Sequence, residues 1–185
     1  MEWSRPEPLL RAGGLALRPF SIDDAGALSE ACADAAIARF TFMKLGLTES
    51  EAREWINAKN AAWQNGQPRF AIVDAKTDRL LGQLGIAVSE ESQSAELFYW
   101  VVAAHRGRGV ASSAVGLVCD WAFERGVERI FLVTHLDNDA SQRVAARCGF
   151  TREGILRGYE RFKGARPDVM SWSLLATDPR PWHRP

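Results

Sequence analysis

Apolar and polar residues alternate through "LALRPF" (15–20), and the run ends at a proline, which predicts a first strand. Ser21 then opens "SIDDAGALSEACADA" (21–35). Asp24 lies three residues on and acidic residues crowd the first turn, as a helix N-terminus prefers. The clearest early helix is 48–66. Thr48 caps it, Glu51 completes a capping box, Gly66 stops it, and Ala52, Trp55, Ile56, Ala62 and Trp63 supply an apolar stripe. Between these helices "ARFTFMKLG" (38–46) is aromatic without a clear period, and reads either as core packing or as a loop facing a substrate. Two apolar runs flank the turn-rich "DAKTD" within 69–88, a hairpin pattern.

The second half alternates strands and helices. "SAELFYWVV" (94–102) is a strand apolar enough to be central, and "VASSAVGLVCDWAFERG" (110–126) is a helix ending at Gly126. "RIFLVTHL" (129–136) is a buried strand, and 139–150 is a helix stopped by Gly149. Residues 152–164 and 167–176 read as a closing pair of strands, and the proline-rich tail 177–185 as irregular. No repeat or linker interrupts this order. The expectation is one α+β domain over 1–185 with a mostly antiparallel sheet.

Composition narrows the class. Of 185 residues, 46% are hydrophobic and 25% charged, an ordinary globular balance with enough apolar material for one real core. Lys+Arg and Asp+Glu number 23 each, so a net charge of +0 gives no reason to expect nucleic acid as a partner. Cys32, Cys119 and Cys148 lie far apart and form no Cys-x-x-Cys, which suits buried thiols in a reducing compartment. No run approaches the roughly 20 apolar residues of a membrane helix, and "MEWSRPEPLL" has no apolar signal core. The expectation is a soluble, cytoplasmic protein without membrane association.

One motif does not fit routine packing. In "AHRGRGVASSAV" (104–115 spans its core), Gly107 and Gly109 alternate with Arg106 and Arg108 where a strand hands over to a helix. The first turn of a helix carries N–H groups without internal partners, at the positive end of the dipole. Glycine there permits positive φ or close approach of a ligand, and arginine adds charge-assisted hydrogen bonds. The turn is built like a phosphate cradle, although a tight turn with solvated arginines has the same residues. It lacks the Gly-Lys-Ser/Thr of a Walker loop, and Ser112 stands where a dinucleotide fingerprint needs its third glycine.

Arg106-Gly107-Arg108-Gly109-Val110-Ala111 resembles the Gln/Arg-x-x-Gly-x-Gly/Ala signature of the GNAT N-acetyltransferases. "AELFYWVVAAHRGRGVA" and "NDASQRVAARCGFTREGILRG" look like two successive blocks of the subfamily that acetylates ribosomal-protein N-termini, the RimJ/RimL-like enzymes. "LRPFSIDDA" and "DVMSWSLLATD" match that subfamily's first and last strands, so the resemblance spans about 15–178. Ala103 replaces a usual proline, Ser112-Ser113 a commoner Thr-Glu pair, and Arg147 a common Lys. The resemblance implies a GNAT fold: a mixed, mostly antiparallel sheet whose two parallel strands, 94–102 and 129–136, splay apart, flanked by helices.

It also implies acetyl-CoA as cosubstrate, a primary amine as acceptor, and no metal. The pyrophosphate would lie on Arg106 to Ala111, and main-chain groups of Trp100, Val101 and Val102 would hold the pantetheine arm. Asn138 would bond the pantetheine and Ser141 would protonate the leaving thiolate, while both also suit plain helix capping. Glu96, the sole carboxylate in its apolar strand, would be the general base if burial lifts its pKa; otherwise it is a strand-end residue facing water. His135 ends the neighbouring strand as a second-rank base, and neither it nor His105 has metal-ligand spacing. The acceptor would be a protein N-terminal α-amine or a small-molecule amine such as an antibiotic. A non-catalytic acyl-CoA sensor is the reading from another class. Exposed sheet edges would allow a homodimer, as in many relatives of the family.

Overall fold

The computed structural model describes residue 3, residues 5–7 and residues 9–183. Its strands are β1 (Leu10–Ala12), β2 (Leu15–Pro19), β3 (Arg69–Asp74), β4 (Leu80–Ser89), β5 (Ser94–Val101), β6 (Arg129–His135), β7 (Thr151–Leu156) and β8 (Val169–Leu175). They form one eight-stranded sheet in the order β1-β2-β3-β4-β5-β6-β8-β7. Every neighbouring pair is antiparallel except β5 and β6. Five helices cover the faces: α1 (Ala25–Ala31), α2 (Ala35–Phe40), α3 (Glu49–Ala61), α4 (Val110–Phe123) and α5 (Asp139–Arg147).

Alternation along the strands sends successive side chains to opposite faces, and each face has its own core. Leu15, Leu17, Phe70, Ile72 and Leu97 pack with α4 on one face. Ala16, Ala71, Val73 and Trp100 pack with α1, α2 and α3 on the other. Helix α4 buries Ala114, Val115, Val118, Cys119 and Ala122, the spacing of one helical face. Gly82 lets β4 and β5 close, because a Cβ there would stand 2.4 Å from the Trp100 carbonyl oxygen. Gly82→Ala is expected to cost roughly 1–3 kcal/mol by overpacking; an unchanged urea midpoint would show that the strands can part to admit the methyl.

The expected capping boxes form at Ser21–Asp24 and Thr48–Glu51. Five features differ from expectation: the helix expected over 48–66 ends at Ala61 and is followed by a 3₁₀ turn (Trp63–Asn65), the strand expected over 152–164 stops at Leu156, and three others follow. The segment 21–35 is a 3₁₀ turn (Ile22–Asp24) followed by α1, and Asp34 then caps the separate helix α2 through the Ala36 N–H. That second helix takes up the start of the aperiodic aromatic stretch. The strand β1 is too short to show a pattern, and it turns back through Gly13-Gly14, both at positive φ. The tail is anchored: Trp182 lies against Gly116 and, with Arg180, bonds Asp120 of α4 at 2.8 and 3.0 Å.

Buried Cys32, Cys119 and Cys148 are all free thiols. Among the described residues no helix is long and apolar enough to cross a membrane, and no group of three or more His, Cys, Asp or Glu is placed to hold a metal.

Candidate active site

The parallel pair separates. Ladder pairing of β5 with β6 runs only from Ser94↔Arg129 to Glu96↔Phe131, although both strands continue. The gap opens into a cavity of about 820 Å³ lined by both strands, the Gly107–Gly109 turn, the start of α4, and α5.

Register decides which main-chain groups face that gap. The β4–β5 pairing is regular along its length, and the Val102 N–H donates to the Leu81 carbonyl at 2.9 Å. Alternate residues of an antiparallel strand turn their main chain to opposite edges. Trp100 and Val102 therefore spend theirs on β4, while Val101 and Tyr99 face the gap. This corrects the expectation that all three of Trp100, Val101 and Val102 offer main-chain bonds to a ligand. The Val101 carbonyl already accepts from Arg106 Nε at 2.9 Å, which leaves its N–H as the group on offer.

At the turn, Gly107 and Gly109 have φ of 72° and 80°, and a Cβ on either would meet nothing within 4 Å. Their need for glycine is conformational. Gly109 is the N-cap of α4 and gives no side-chain cap, so the N–H groups of Val110, Ala111 and Ser112 open the helix without an internal partner. Arg106 is committed elsewhere: its guanidinium pairs with Asp34 at 2.5 Å and ties the turn to α2. Arg108 is exposed and does not line the cavity, whereas Arg143 and Arg147 of α5 do. Sequence reading passed over Arg143, because one arginine on an exposed helix face has no distinctive pattern.

Asn138 caps α5, its Oδ1 accepting the Ser141 N–H at 3.1 Å. The Ser141 hydroxyl lies 2.8 Å from the Tyr99 hydroxyl, which arrives from β5. Burial pushes the Tyr99 phenol well above its usual range, so it remains protonated at neutral pH. Sequence alone does not point to Tyr99, which lies in a strand and not in the helix that carries Ser141. The missing signal was spatial, since 42 residues separate the pair.

Glu96 lines the cavity, and its pKa is raised, first by burial and then by the nearby Glu160, against a lowering from Arg69. Glu96 shares a face of β5 with Phe98 and Trp100, on the α1–α3 side; Tyr99 is on the other face, toward α4 and α5. A carboxylate and a hydroxyl pair thus approach the gap from its two sides. His135 sits in an aromatic cluster, its ring centroid 5.6 Å from Phe40 and 4.9 Å from Phe162. Phe42 packs on Phe162 at 4.9 Å, and Lys163 bonds the Ala38 carbonyl. The aromatic stretch is therefore both core and cavity wall: Met43 is buried, Phe42 is 65% exposed. His105 is near Arg79, at 2.9 Å.

Comparison with known proteins agrees with this geometry. A family model described as an acetyltransferase (GNAT) domain matches residues 14–151. An uncharacterized N-acetyltransferase p20 of Bacillus licheniformis is 32% identical over 87% of this chain and 92% of its own. The ribosomal-protein-serine acetyltransferase of Escherichia coli is 28% identical over 69% of this chain and 72% of its own. Among solved structures, Mycobacterium smegmatis RimJ in complex with CoA-disulfide superposes with a TM-score of 0.80 at 25% identity, covering 91% of this chain and 86% of that one.

Proposed function

Because this chain belongs to the GNAT family and is an N-acetyltransferase that transfers acetyl to an amine, we propose that the β5–β6 gap is where its acetyl transfer takes place, with acetyl-CoA as donor. The observation that carries this reading is the gap itself. It joins an uncapped helix N-terminus at one end to a raised-pKa carboxylate and a Tyr–Ser hydroxyl pair.

The residues present fit the donor. The N–H groups of Val110, Ala111 and Ser112 would hold the donor's diphosphate, and Arg143 or Arg147, which line the same cavity, would add charge. The Val101 N–H is oriented to polarise a carbonyl lying in the gap, where exclusion of water strengthens the bond. Glu96, from the α1–α3 side, takes a proton from the acceptor amine, directly or through one water. From the other side Ser141, held in place by the Tyr99 hydroxyl, gives its proton to the departing sulfur and recovers one from solvent, to which Glu96 releases the proton it took, so the C–S bond breaks as the C–N bond forms and the sulfur leaves as a thiol. Asn138 holds the N-terminus of α5, and so Ser141, in place.

A protein N-terminal α-amine as acceptor is supported by the likeness to the E. coli ribosomal-protein enzyme. A small-molecule amine is the second reading, favoured by the apolar wall of Phe40, Phe42 and Phe162. Titrating acetyl-CoA calorimetrically and then following thiol release with peptides and small amines decides between them. Absence of acetyl-CoA binding would remove the whole assignment, and binding without release on any amine would leave a sensor.

Ser141→Ala and Tyr99→Phe are each expected to slow thiol release by about 10²-fold, in the range of lost acid catalysis. The double variant should be little worse than either alone, since the two act as one unit. Multiplicative losses in single-turnover measurements would separate their roles.

A further inference from the structure

On the acceptor side, a buried arginine makes no ion pair with any carboxylate among the described residues. Arg69 of β3 is 9% exposed and lines the cavity. It is in register with Gly85 of β4, which is in register with Phe98 of β5. A Cβ on Gly85 would stand 2.5 Å from Arg69 Cδ and 2.6 Å from the Phe98 ring. The empty place at Gly85 is what lets the Arg69 side chain cross the sheet and lay its guanidinium 4.1 Å from the Phe98 ring centre. It arrives beside Glu96, two residues from Phe98 on the same face.

Among the described residues only one of its guanidinium nitrogens has hydrogen-bond partners. Nη1 donates to the carbonyls of Ile86, Pro68 and Gln67 at 2.9, 3.2 and 3.2 Å. Among the described residues no ion pair within 4 Å reaches Arg69, and no hydrogen bond is made by Nε or Nη2. Lys59 of α3 lines the same cavity, and no carboxylate among the described residues pairs with it. Burial lowers the pKa of Arg69 to about 10 against an opposing pull from the Glu96 charge, and burial followed by the Arg69 charge lowers that of Lys59. Burying neighbouring cations without an ion-paired anion is costly, and the Glu96 charge offsets only part of that for Arg69. Against them stand Glu96 and Glu160, placed to face an amine.

We propose that Arg69 and Lys59 form an anion subsite for the acceptor, so that the preferred substrate is an amine carrying a carboxylate within reach of the reacting nitrogen. The inference rests on the reading of the gap as the acetyl-transfer site. Two sources share this chemistry: the α-carboxylate of a free amino acid, and an acidic side chain near a peptide N-terminus. Both put their charge on Arg69 and their amine toward Glu96. Spermidine, which has cations only, is the wrong shape of charge for it.

The test uses matched pairs: phenylalanine against phenylalaninamide, and Ser-Asp-Phe-amide against Ser-Asn-Phe-amide, with spermidine as a third arm. Thiol release from acetyl-CoA gives kcat and KM, and calorimetry gives binding of the N-acetylated products in the presence of CoA. Wild type should favour the carboxylate member of one pair by roughly tenfold to a hundredfold, the range of a charge-assisted bond, with the effect in KM. The pair that shows it identifies the source. Arg69→Met should abolish the preference, read as the ratio of kcat/KM between the two members so that a general loss acting through Glu96 cancels, and Lys59→Gln, at a half-exposed site that folding tolerates, should reduce it. A preference in neither pair, equal loss on both members in Arg69→Met, or faster turnover of spermidine overturns the proposal. Acetyl transfer without carboxylate preference would sink this inference alone. Carboxylate-selective product binding without any transfer would instead sink the catalytic reading and leave the subsite standing.

Discussion

Glu96→Gln is expected to lower kcat by about 10²–10⁴-fold, the usual worth of a positioned base, with little change in affinity for acetyl-CoA. The wild-type rate should fall as pH drops through the raised pKa of Glu96, since only the ionised carboxylate accepts a proton. In the glutamine variant that limb should vanish. Stability should move the opposite way. The folded pKa lies above the ordinary carboxylate value of 4.5, because burial and Glu160 disfavour the charge. The folded state therefore binds more protons than the unfolded chain in the window between the two values, and stability falls as pH rises through it. Glutamine carries no such penalty, so the variant should melt higher than wild type at neutral pH and not at pH 4. Full activity in Glu96→Gln would assign the proton to water or to His135.

Gly109→Val should weaken acetyl-CoA binding by roughly tenfold to a hundredfold, equivalent to about 1.4–2.8 kcal/mol. Two effects combine. A residue with a Cβ pays roughly 1–2 kcal/mol to hold the left-handed conformation, more when β-branched, and any relaxation re-aims the N–H groups of Val110, Ala111 and Ser112. Nothing within 4 Å meets the added Cβ, so the protein itself presents no clash. The melting temperature should drop by only a few degrees, as roughly 1–2 kcal/mol implies for a domain of this size. Calorimetry and thermal unfolding on the same sample separate the two quantities. If stability collapses while residual affinity is normal, the turn is structural and the phosphate lies elsewhere.

Local signals in the chain carried far. Ser21, Thr48 and Asn138 each cap a helix or helical turn through contacts within three residues, and such contacts are visible as spacing. Gly66, Gly107, Gly109 and Gly126 all adopt positive φ, which the punctuation of the pattern announced. Short elements were harder. Strand β1 has three residues and helix α2 six, too few for a period to repeat, and both depend on neighbours for their burial.

The candidate site divides along the same line. Gly107, Gly109, Glu96, Asn138 and Ser141 stood out because each has a local oddity: bare backbone, a lone charge in an apolar strand, a cap at a helix mouth. By itself, then, the sequence determined the order of the longer elements, their caps and the turn before α4, and through the family resemblance it named the candidate acid and base. Only the tertiary structure decided that β5 and β6 part after Glu96↔Phe131, that Val101 faces the gap while Trp100 and Val102 do not, that Tyr99 meets Ser141, and that Arg69 crosses Gly85 to reach Phe98. The physical reason is register. Which side chains meet across a sheet depends on how strands distant in sequence align, and a slip of one residue would exchange the faces of them all.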